Sequence, residues 1–141
     1  MNDVFGSKTY RLMLTELTQE VIRIAEADGT KLEPFDPFDQ NAFTRDAAQS
    51  AADGAFETIF NHRLGSAKKD SGMWRDIAVR KRKTELDTLL LSVLNAGAQR
   101  RVAMPLNTLL AQMIQEIEVG ERQQTWQNFE ELQLRMTDAT A

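Results

Sequence analysis

Apolar residues recur at intervals of three and four along almost the whole of this chain, and no stretch alternates steadily between apolar and polar residues. Spacing of three and four places side chains on one face of a helix, whereas steady alternation is typical of a strand. The pattern therefore predicts an all-α fold, a compact multi-helix domain. A single domain is expected to span residues 1–141, because a chain of this length can bury a core of its own.

Two helices are predicted in the first half of the chain. The first runs from about Lys8 to Asp28 and stops at Gly29, and its apolar stripe consists of Met13, Leu14, Leu17, Val21, Ile24 and Ala25. Residues 33–39 contain two prolines, which a helix interior does not tolerate, so they are predicted to form an ordered loop. Asp39 is placed to cap a second, alanine-rich helix from about Gln40 to His62.

Four further helical segments are predicted in the second half. A short amphipathic stretch covers residues 73–79, and the next helix starts at Thr84, where residues 84–87 resemble a capping box. In such a box the Thr84 hydroxyl covers the backbone amide of Asp87 while the Asp87 carboxylate reaches back. Pro105 suits the first turn of a helix that ends at Gly120, and residues 126–136 form the last one. The core face of the helix starting at Thr84 is assigned to Leu86, Leu89, Leu90, Val93, Leu94 and Ala98.

Composition narrows the class of protein. The chain has no cysteine, which excludes disulfides and thiolate metal sites, and nothing near Met1 resembles a secretory signal, so a cytoplasmic location is expected. The longest apolar run is far short of the roughly 18 residues that a membrane span needs. A net charge of −4 argues against general affinity for nucleic acid. Seven of the 17 basic residues nevertheless lie between Lys68 and Lys83.

Glu85 is the first candidate for a catalytic role. It follows Thr84 at the predicted start of a helix and comes just after four basic residues, a position that stabilises a charged carboxylate. Such a carboxylate can orient a hydroxyl or an ammonium group in an active site. The alternative is that Glu85 only compensates the helix dipole.

Other features leave a similar choice open. Ser71 and Gly72 offer a hydroxyl and exposed amides at the start of a short helix, where they either hold a carboxylate or form an ordinary cap. The basic run 80–83 either binds an anionic ligand or nucleic acid, or is a solvated surface cluster. The lone His62 has no partners for a metal site. No glycine-rich strand-to-helix loop occurs, so the chain is expected to bind no nucleotide cofactor by itself.

Three segments carry a family resemblance. They are Ser71-Gly72-Met73-Trp74-Arg75-Asp76-Ile77, then Lys83-Thr84-Glu85-Leu86-Asp87, then Met104-Pro105-Leu106-Asn107. In order and spacing they resemble the C-terminal domain of the ketopantoate reductases (2-dehydropantoate 2-reductases), a helical domain like that of 6-phosphogluconate dehydrogenase. The resemblance covers about residues 8–135, and its most specific part is the Thr-Glu-x-Asp block at 84–87.

The resemblance implies an NADPH-dependent reduction of a 2-keto acid in pantothenate biosynthesis. In that family a Rossmann domain holds the cofactor and the helical domain closes over the substrate. The family's glutamate falls at Glu85, which would orient the substrate hydroxyl and the catalytic lysine. The serine that binds the substrate carboxylate falls at Gly72, or is supplied by Ser71.

The chain also departs from the family. Neither the Rossmann half nor the lysine-and-asparagine motif that carries the catalytic lysine is found in its 141 residues. We therefore expect no activity from the chain alone, and a separate Rossmann-domain polypeptide and a second copy of the chain, in a homodimer, as its partners. The alternative is a non-catalytic helical interaction or dimerisation module.

Overall fold

The computed structural model describes residues 2–66 and 70–140, and the side chains of residues 4–66 and 70–136. The chain divides into two compact units at the boundary between residues 69 and 70. Within the described residues all regular structure is helical and no strand occurs, which confirms the all-α prediction. The expectation of a single domain over residues 1–141 stays a prediction.

Three α-helices lie in residues 2–66, the described part of the N-terminal unit. Helix α1 spans Asn2–Gly6, α2 spans Arg11–Asp28 and α3 spans Gln49–Leu64, and 3-10 turns cover Lys8–Tyr10 and Gln40–Phe43. Helix α2 starts three residues later than the predicted Lys8, because the chain first makes the 3-10 turn. It ends as predicted: Gly29 takes the left-handed conformation, with φ of 67°, and its amide donates to the carbonyls of Ala25 and Glu26.

The buried face of α2 differs in part from the predicted stripe. Met13 and Ile24 are buried as expected, but Val21 is 38% exposed and Ile22 lies in the core instead. Arg11 is also buried, and its guanidinium donates to the Glu57 carboxylate of α3 at 2.6 Å. This ion pair between a buried arginine and an exposed glutamate joins α2 to α3 and gives no signal in the hydrophobic pattern.

The predicted continuous helix from Gln40 to His62 is wrong. Asp39 does act as a cap, since its carboxylate accepts from the Asn41 amide at 2.9 Å, but the turn it caps ends at Phe43. Helix α3 then begins at Gln49. The break lets Phe43 fold back onto Phe56, with ring centroids 5.1 Å apart. In one continuous helix, rising about 1.5 Å per residue, these rings would lie roughly 20 Å apart.

The core of the N-terminal unit is built on this contact. Its buried members are Ile22, Phe43, Ala52 and Phe56, and partly buried side chains including Phe5, Phe38 and Ile59 pack against them. Phe38, at the end of the proline-containing loop, stacks on Phe43 at 5.4 Å. The loop between α2 and α3 is therefore held by aromatic packing, as the prediction of an ordered loop requires.

Four α-helices lie in residues 70–140, which the structure describes of the C-terminal unit. They are α4 (Gly72–Ala78), α5 (Leu90–Gln99), α6 (Pro105–Glu118) and α7 (Gln127–Thr140). Pro105 occupies the first turn of α6, as predicted, and Gly120 follows the helix with φ of 80°. The buried apolar side chains of this unit are Leu86, Met104, Leu106, Ala111, Met113 and Leu132.

The start of α5 corrects the sequence analysis. Residues 85–89 form turns and the helix begins at Leu90 instead of Thr84. Leu86 is completely buried as expected, whereas Leu89, assigned to the same core face, is 54% exposed. None of the helices within residues 2–66 and 70–140 combines the length and the apolar character of a membrane span.

Candidate substrate site

Ser71 serves as the cap of helix α4. Its hydroxyl oxygen accepts the backbone amide of Trp74 at 3.0 Å, and its backbone is extended, as helix-capping residues usually are. The hydroxyl keeps its proton for donation to another group. Gly72, the first residue of α4, is exposed, and a β-carbon added there would meet no atom within 4 Å. A serine would therefore fit at Gly72 without displacing anything in the described structure.

Glu85 lies in the turn before α5, between two buried neighbours. Thr84 is 8% exposed and Leu86 is completely buried, while the Glu85 side chain is exposed. The Glu85 carbonyl accepts from the Leu89 amide and from the Thr88 hydroxyl, both at 3.0 Å. Its carboxylate forms no hydrogen bond or ion pair with any residue that the structure describes. The chain thus holds the backbone of Glu85 firmly and leaves its carboxylate available.

Thr84 does not form the predicted capping box. Its backbone amide donates to the Glu118 carboxylate at 2.7 Å, and its hydroxyl donates to the same oxygen. The Thr84 hydroxyl oxygen accepts from the Leu86 amide at 3.1 Å instead of from that of Asp87. Asp87 does not reach back, because its carboxylate pairs with Lys83 at 2.5 Å. The Thr84 amide was expected to donate to the carboxylate of Asp87, three residues away. It donates instead to Glu118, which lies 34 residues further along the chain.

The basic run at 80–83 is largely neutralised within the unit. The buried Asp76 carboxylate accepts from Arg80 at 2.7 Å and from Arg82 at 2.9 Å. The hydrogen bond from Arg82, and to a smaller extent the one from Arg80, lowers the pKa of Asp76 below its ordinary value. The hydrogen bond to Asp87 raises the pKa of Lys83. Lys81, with φ of 50°, forms no ion pair with a described residue.

A cleft of about 600 Å³ opens between the end of α4 and the end of α6. Its charged lining consists of Lys81, Arg82, Glu118 and Arg122. Arg122 is fully engaged: it donates to Glu116 at 2.6 Å and to Glu131 at 2.7 Å, and these two carboxylates raise its pKa. The cleft therefore offers Lys81 as its one cation without a carboxylate partner among the described residues.

Beside it lies a smaller, mainly apolar cavity of about 210 Å³. Side chains from α4, α6 and α7 line it, among them Met73, Trp74, Met113 and Phe129, and Ser71 lies at its edge. No hydrogen bond joins Ser71 to Glu85, so the described structure does not link the two site residues directly. Within the described residues no group of acidic and histidine side chains could hold a metal ion.

The family comparison tests the resemblance found in the sequence. The model of the ketopantoate reductase PanE/ApbA C-terminal domain matches residues 1–118. The chain belongs to this family. The match contains α1 to α6 with Ser71, Gly72 and Glu85. The resemblance was expected over residues 8–135, whereas the match begins at residue 1 and ends at residue 118. No curated protein and no solved structure matches the chain at the thresholds applied.

In this ketopantoate reductase C-terminal-type chain, two carboxylates that shape the candidate site were not predicted from the sequence. Glu118 closes α6 and holds Thr84, and Asp76 gathers Arg80 and Arg82. Asp76 stands inside the quoted segment 71–77 next to a basic run, so opposite charges at spacings of four and six were a usable signal for its role. Glu118 lies far from Thr84 in sequence, and no local pattern marks it.

Proposed function

We propose that this chain supplies the substrate side of a ketopantoate reductase-type enzyme that reduces a 2-keto acid with NADPH. Such a reduction would take a hydride from NADPH, leaving NADP+, and a proton for the keto oxygen from solvent or from a donor on the cofactor-bearing domain. In this proposal Glu85 touches the substrate, accepting a hydrogen bond from its hydroxyl group. The described residues do not fit NADPH, since they contain no strand leading into a glycine-rich helix start, so the cofactor is assigned to a Rossmann domain outside residues 1–141.

The observation that carries the proposal is the state of Glu85. Glu85 stands between two buried residues, and its carboxylate has no partner among described residues. Its backbone is already fixed, which lowers the cost of ordering this position when a ligand arrives. The family match supports a reductase role for the same segment.

Ser71 is proposed as the donor to the substrate carboxylate. Its hydroxyl oxygen accepts from Trp74, and its proton is free to point outward. Glycine stands at position 72, where the family has its serine. This part of the site therefore has one hydroxyl, that of Ser71, whereas serines at both 71 and 72 would give two. The open space at Gly72 makes the missing hydroxyl easy to restore by mutation.

A second candidate function is a helical module that binds another copy of the chain. Large apolar side chains are exposed on the C-terminal unit, including Val79, Val119, Trp126 and Leu134, each at least half exposed. Burial of such side chains in a homodimer is favourable. A light-scattering mass twice that of the chain, together with ketopantoate binding that Glu85→Ala leaves unchanged, supports this role, and a monomeric mass contradicts it.

The test of the reductase proposal begins with the chain alone. We expect ketopantoate, added to the isotopically labelled chain, to shift the NMR signals of Glu85 and of Ser71. Glu85→Ala removes the acceptor and should weaken that binding, and Gly72→Ser should strengthen it by adding a hydroxyl donor. Glu121→Ala is the matched control, because Glu121 is exposed and its side chain has no partner among the described residues.

Activity provides the second readout. Mixed with a ketopantoate reductase fragment that carries both the nucleotide-binding domain and the catalytic-lysine helix, the chain should consume NADPH in the presence of ketopantoate. Loss of a transition-state hydrogen bond in Glu85→Ala should lower the rate by about 100-fold, a typical effect of removing one such group. Ketopantoate binding that Glu85→Ala and Gly72→Ser leave unchanged would refute the assignment of the site.

A further inference from the structure

The last residue of helix α6, Glu118, is placed against its own helix dipole. A carboxylate is unfavourable at the C-terminal end of a helix, where the carbonyl groups already concentrate negative charge. Glu118 is held there by two donors from one residue, the backbone amide of Thr84 at 2.7 Å and the Thr84 hydroxyl. The position is therefore explained by what Glu118 binds and not by the helix that carries it.

The nearest cation along the chain does not compete for Glu118. Arg122 follows four residues later and lines the same cleft, but it donates to Glu116, Asn128 and Glu131. These bonds use the guanidinium within the contact between α6 and the start of α7. The Glu118 oxygen is left to accept from Thr84 alone among the described residues.

The contact with Thr84 reaches Glu85 through two further bonds. The Thr84 hydroxyl oxygen accepts the Leu86 amide at 3.1 Å, so the same hydroxyl that binds Glu118 also shapes the turn around Glu85. Leu86, on the other side of Glu85, is completely buried, so the turn is anchored on both sides of Glu85. We infer that Glu118 is a positioning residue for Glu85: it fixes the turn from which the Glu85 carboxylate meets the substrate.

This inference rests on the proposed function of Glu85, and its first test needs no ligand. In the isolated chain, Glu118→Ala should speed amide hydrogen exchange at Thr84 and Leu86 by about tenfold or more, the effect of losing hydrogen bonds to a charged acceptor. Glu118→Gln keeps an oxygen that can accept both bonds and should restore most of the protection. Glu121→Ala removes one nearby charge with no side-chain contact and should leave exchange unchanged.

The second test measures ketopantoate binding by the same chains. Glu118→Ala should weaken binding about as much as Glu85→Ala does, and Glu118→Gln should recover most of it. The double variant of Glu118→Ala with Glu85→Ala should bind no more weakly than Glu85→Ala alone. A role limited to general stability would lower the urea midpoint without this recovery and without this non-additivity.

The outcomes separate the two proposals. If Glu85→Ala weakens binding but Glu118→Ala does not, the positioning role is overturned and the proposed function stands. If neither variant changes binding, the proposed function fails, and with it the role of Glu118. Exchange that rises equally throughout the C-terminal unit in Glu118→Ala also overturns the positioning role, because the turn is then not the part that Glu118 fixes.

Discussion

The carboxylate of Asp76, in helix α4, accepts a hydrogen bond from Arg82 at 2.9 Å. The same oxygen accepts a second one from Arg80 at 2.7 Å. The Asp76 side chain is 8% exposed, whereas the side chain of Arg80 is 47% exposed and that of Arg82 is 61% exposed. Two members of the basic run are thus folded back onto one buried carboxylate, which fixes the segment between α4 and Thr84.

The first prediction concerns acid stability. The hydrogen bonds from Arg82 and Arg80 lower the pKa of Asp76 below its ordinary value of 3.8. Because the folded pKa lies below the unfolded one, the pair stabilises the fold fully above about pH 4 and loses this contribution as the pH falls through the folded pKa. Asp76→Asn should therefore be less stable at neutral pH and should lose less stability on acidification.

Urea midpoints measured from about pH 6 down to about pH 2 check this prediction. Asp70→Asn is the matched control, because Asp70 is exposed and forms no ion pair with a described residue. It should follow the wild type at every pH. Parallel curves for Asp76→Asn and the wild type would show that the carboxylate does not carry the acid dependence.

The second prediction is weak binding of polyanions. Arg80, Arg82 and Lys83 have carboxylate partners, which leaves Lys81 as the member of the run without one among the described residues. We expect a labelled oligonucleotide to bind no more tightly than about 0.1 mM at physiological salt, the weak end of non-specific affinity. Fluorescence anisotropy over a salt titration measures this, and tight binding that Lys81→Ala and Arg82→Ala abolish would restore the anion-binding reading.

The elements that the sequence predicts correctly are those with a local cause. Gly29 stops α2 because the residue after the helix takes a positive φ, which glycine adopts without strain. Pro105 opens α6 because its missing amide costs nothing in a first turn. Ser71 caps α4 through an atom three residues away. The all-helical class follows from the same short-range periodicity, and the Thr-Glu-x-Asp block led to the family that the comparison found.

The failures have partners that are distant in sequence. The break before α3 follows from Phe43 packing on Phe56, and no proline or glycine between them at 44–48 signals it. Thr84 prefers Glu118 to Asp87 because Lys83 has taken the Asp87 carboxylate. The spacing of apolar residues identifies the apolar face of a helix, but it does not tell which residues of that face a distant element covers. Leu89 belongs to the predicted face and is nevertheless 54% exposed.

The third prediction tests that last distinction. Leu86 is completely buried and Leu89, three residues on, is 54% exposed. Leu86→Ala should cost about 2–5 kcal/mol of unfolding free energy through lost burial and a cavity, whereas Leu89→Ala should change it by less than about 0.5 kcal/mol. Urea unfolding of the two variants measures both values. Equal losses would mean that the predicted core face, and not the observed burial, describes this segment.

The fourth prediction uses two helical glycines with opposite surroundings. A β-carbon at Gly97 of α5 would lie 2.6 Å from the sulfur of the buried Met104 and 3.4 Å from the Val102 carbonyl oxygen. At Gly54, in α3, it would meet no atom within 4 Å. Alanine gains roughly 0.5–1 kcal/mol over glycine inside a helix, so Gly54→Ala should stabilise the protein by about that amount.

At Gly97 the same gain is opposed by overpacking, which typically costs about 1–3 kcal/mol. Gly97→Ala should therefore destabilise the chain by about 1 kcal/mol, since Met104 has to leave its place against α5. Replacing Met104 by alanine as well should remove the clash, so the double variant should lose less than the sum of the two single losses. If Gly97→Ala were as stabilising as Gly54→Ala, the close contact between Gly97 and Met104 would not exist in solution.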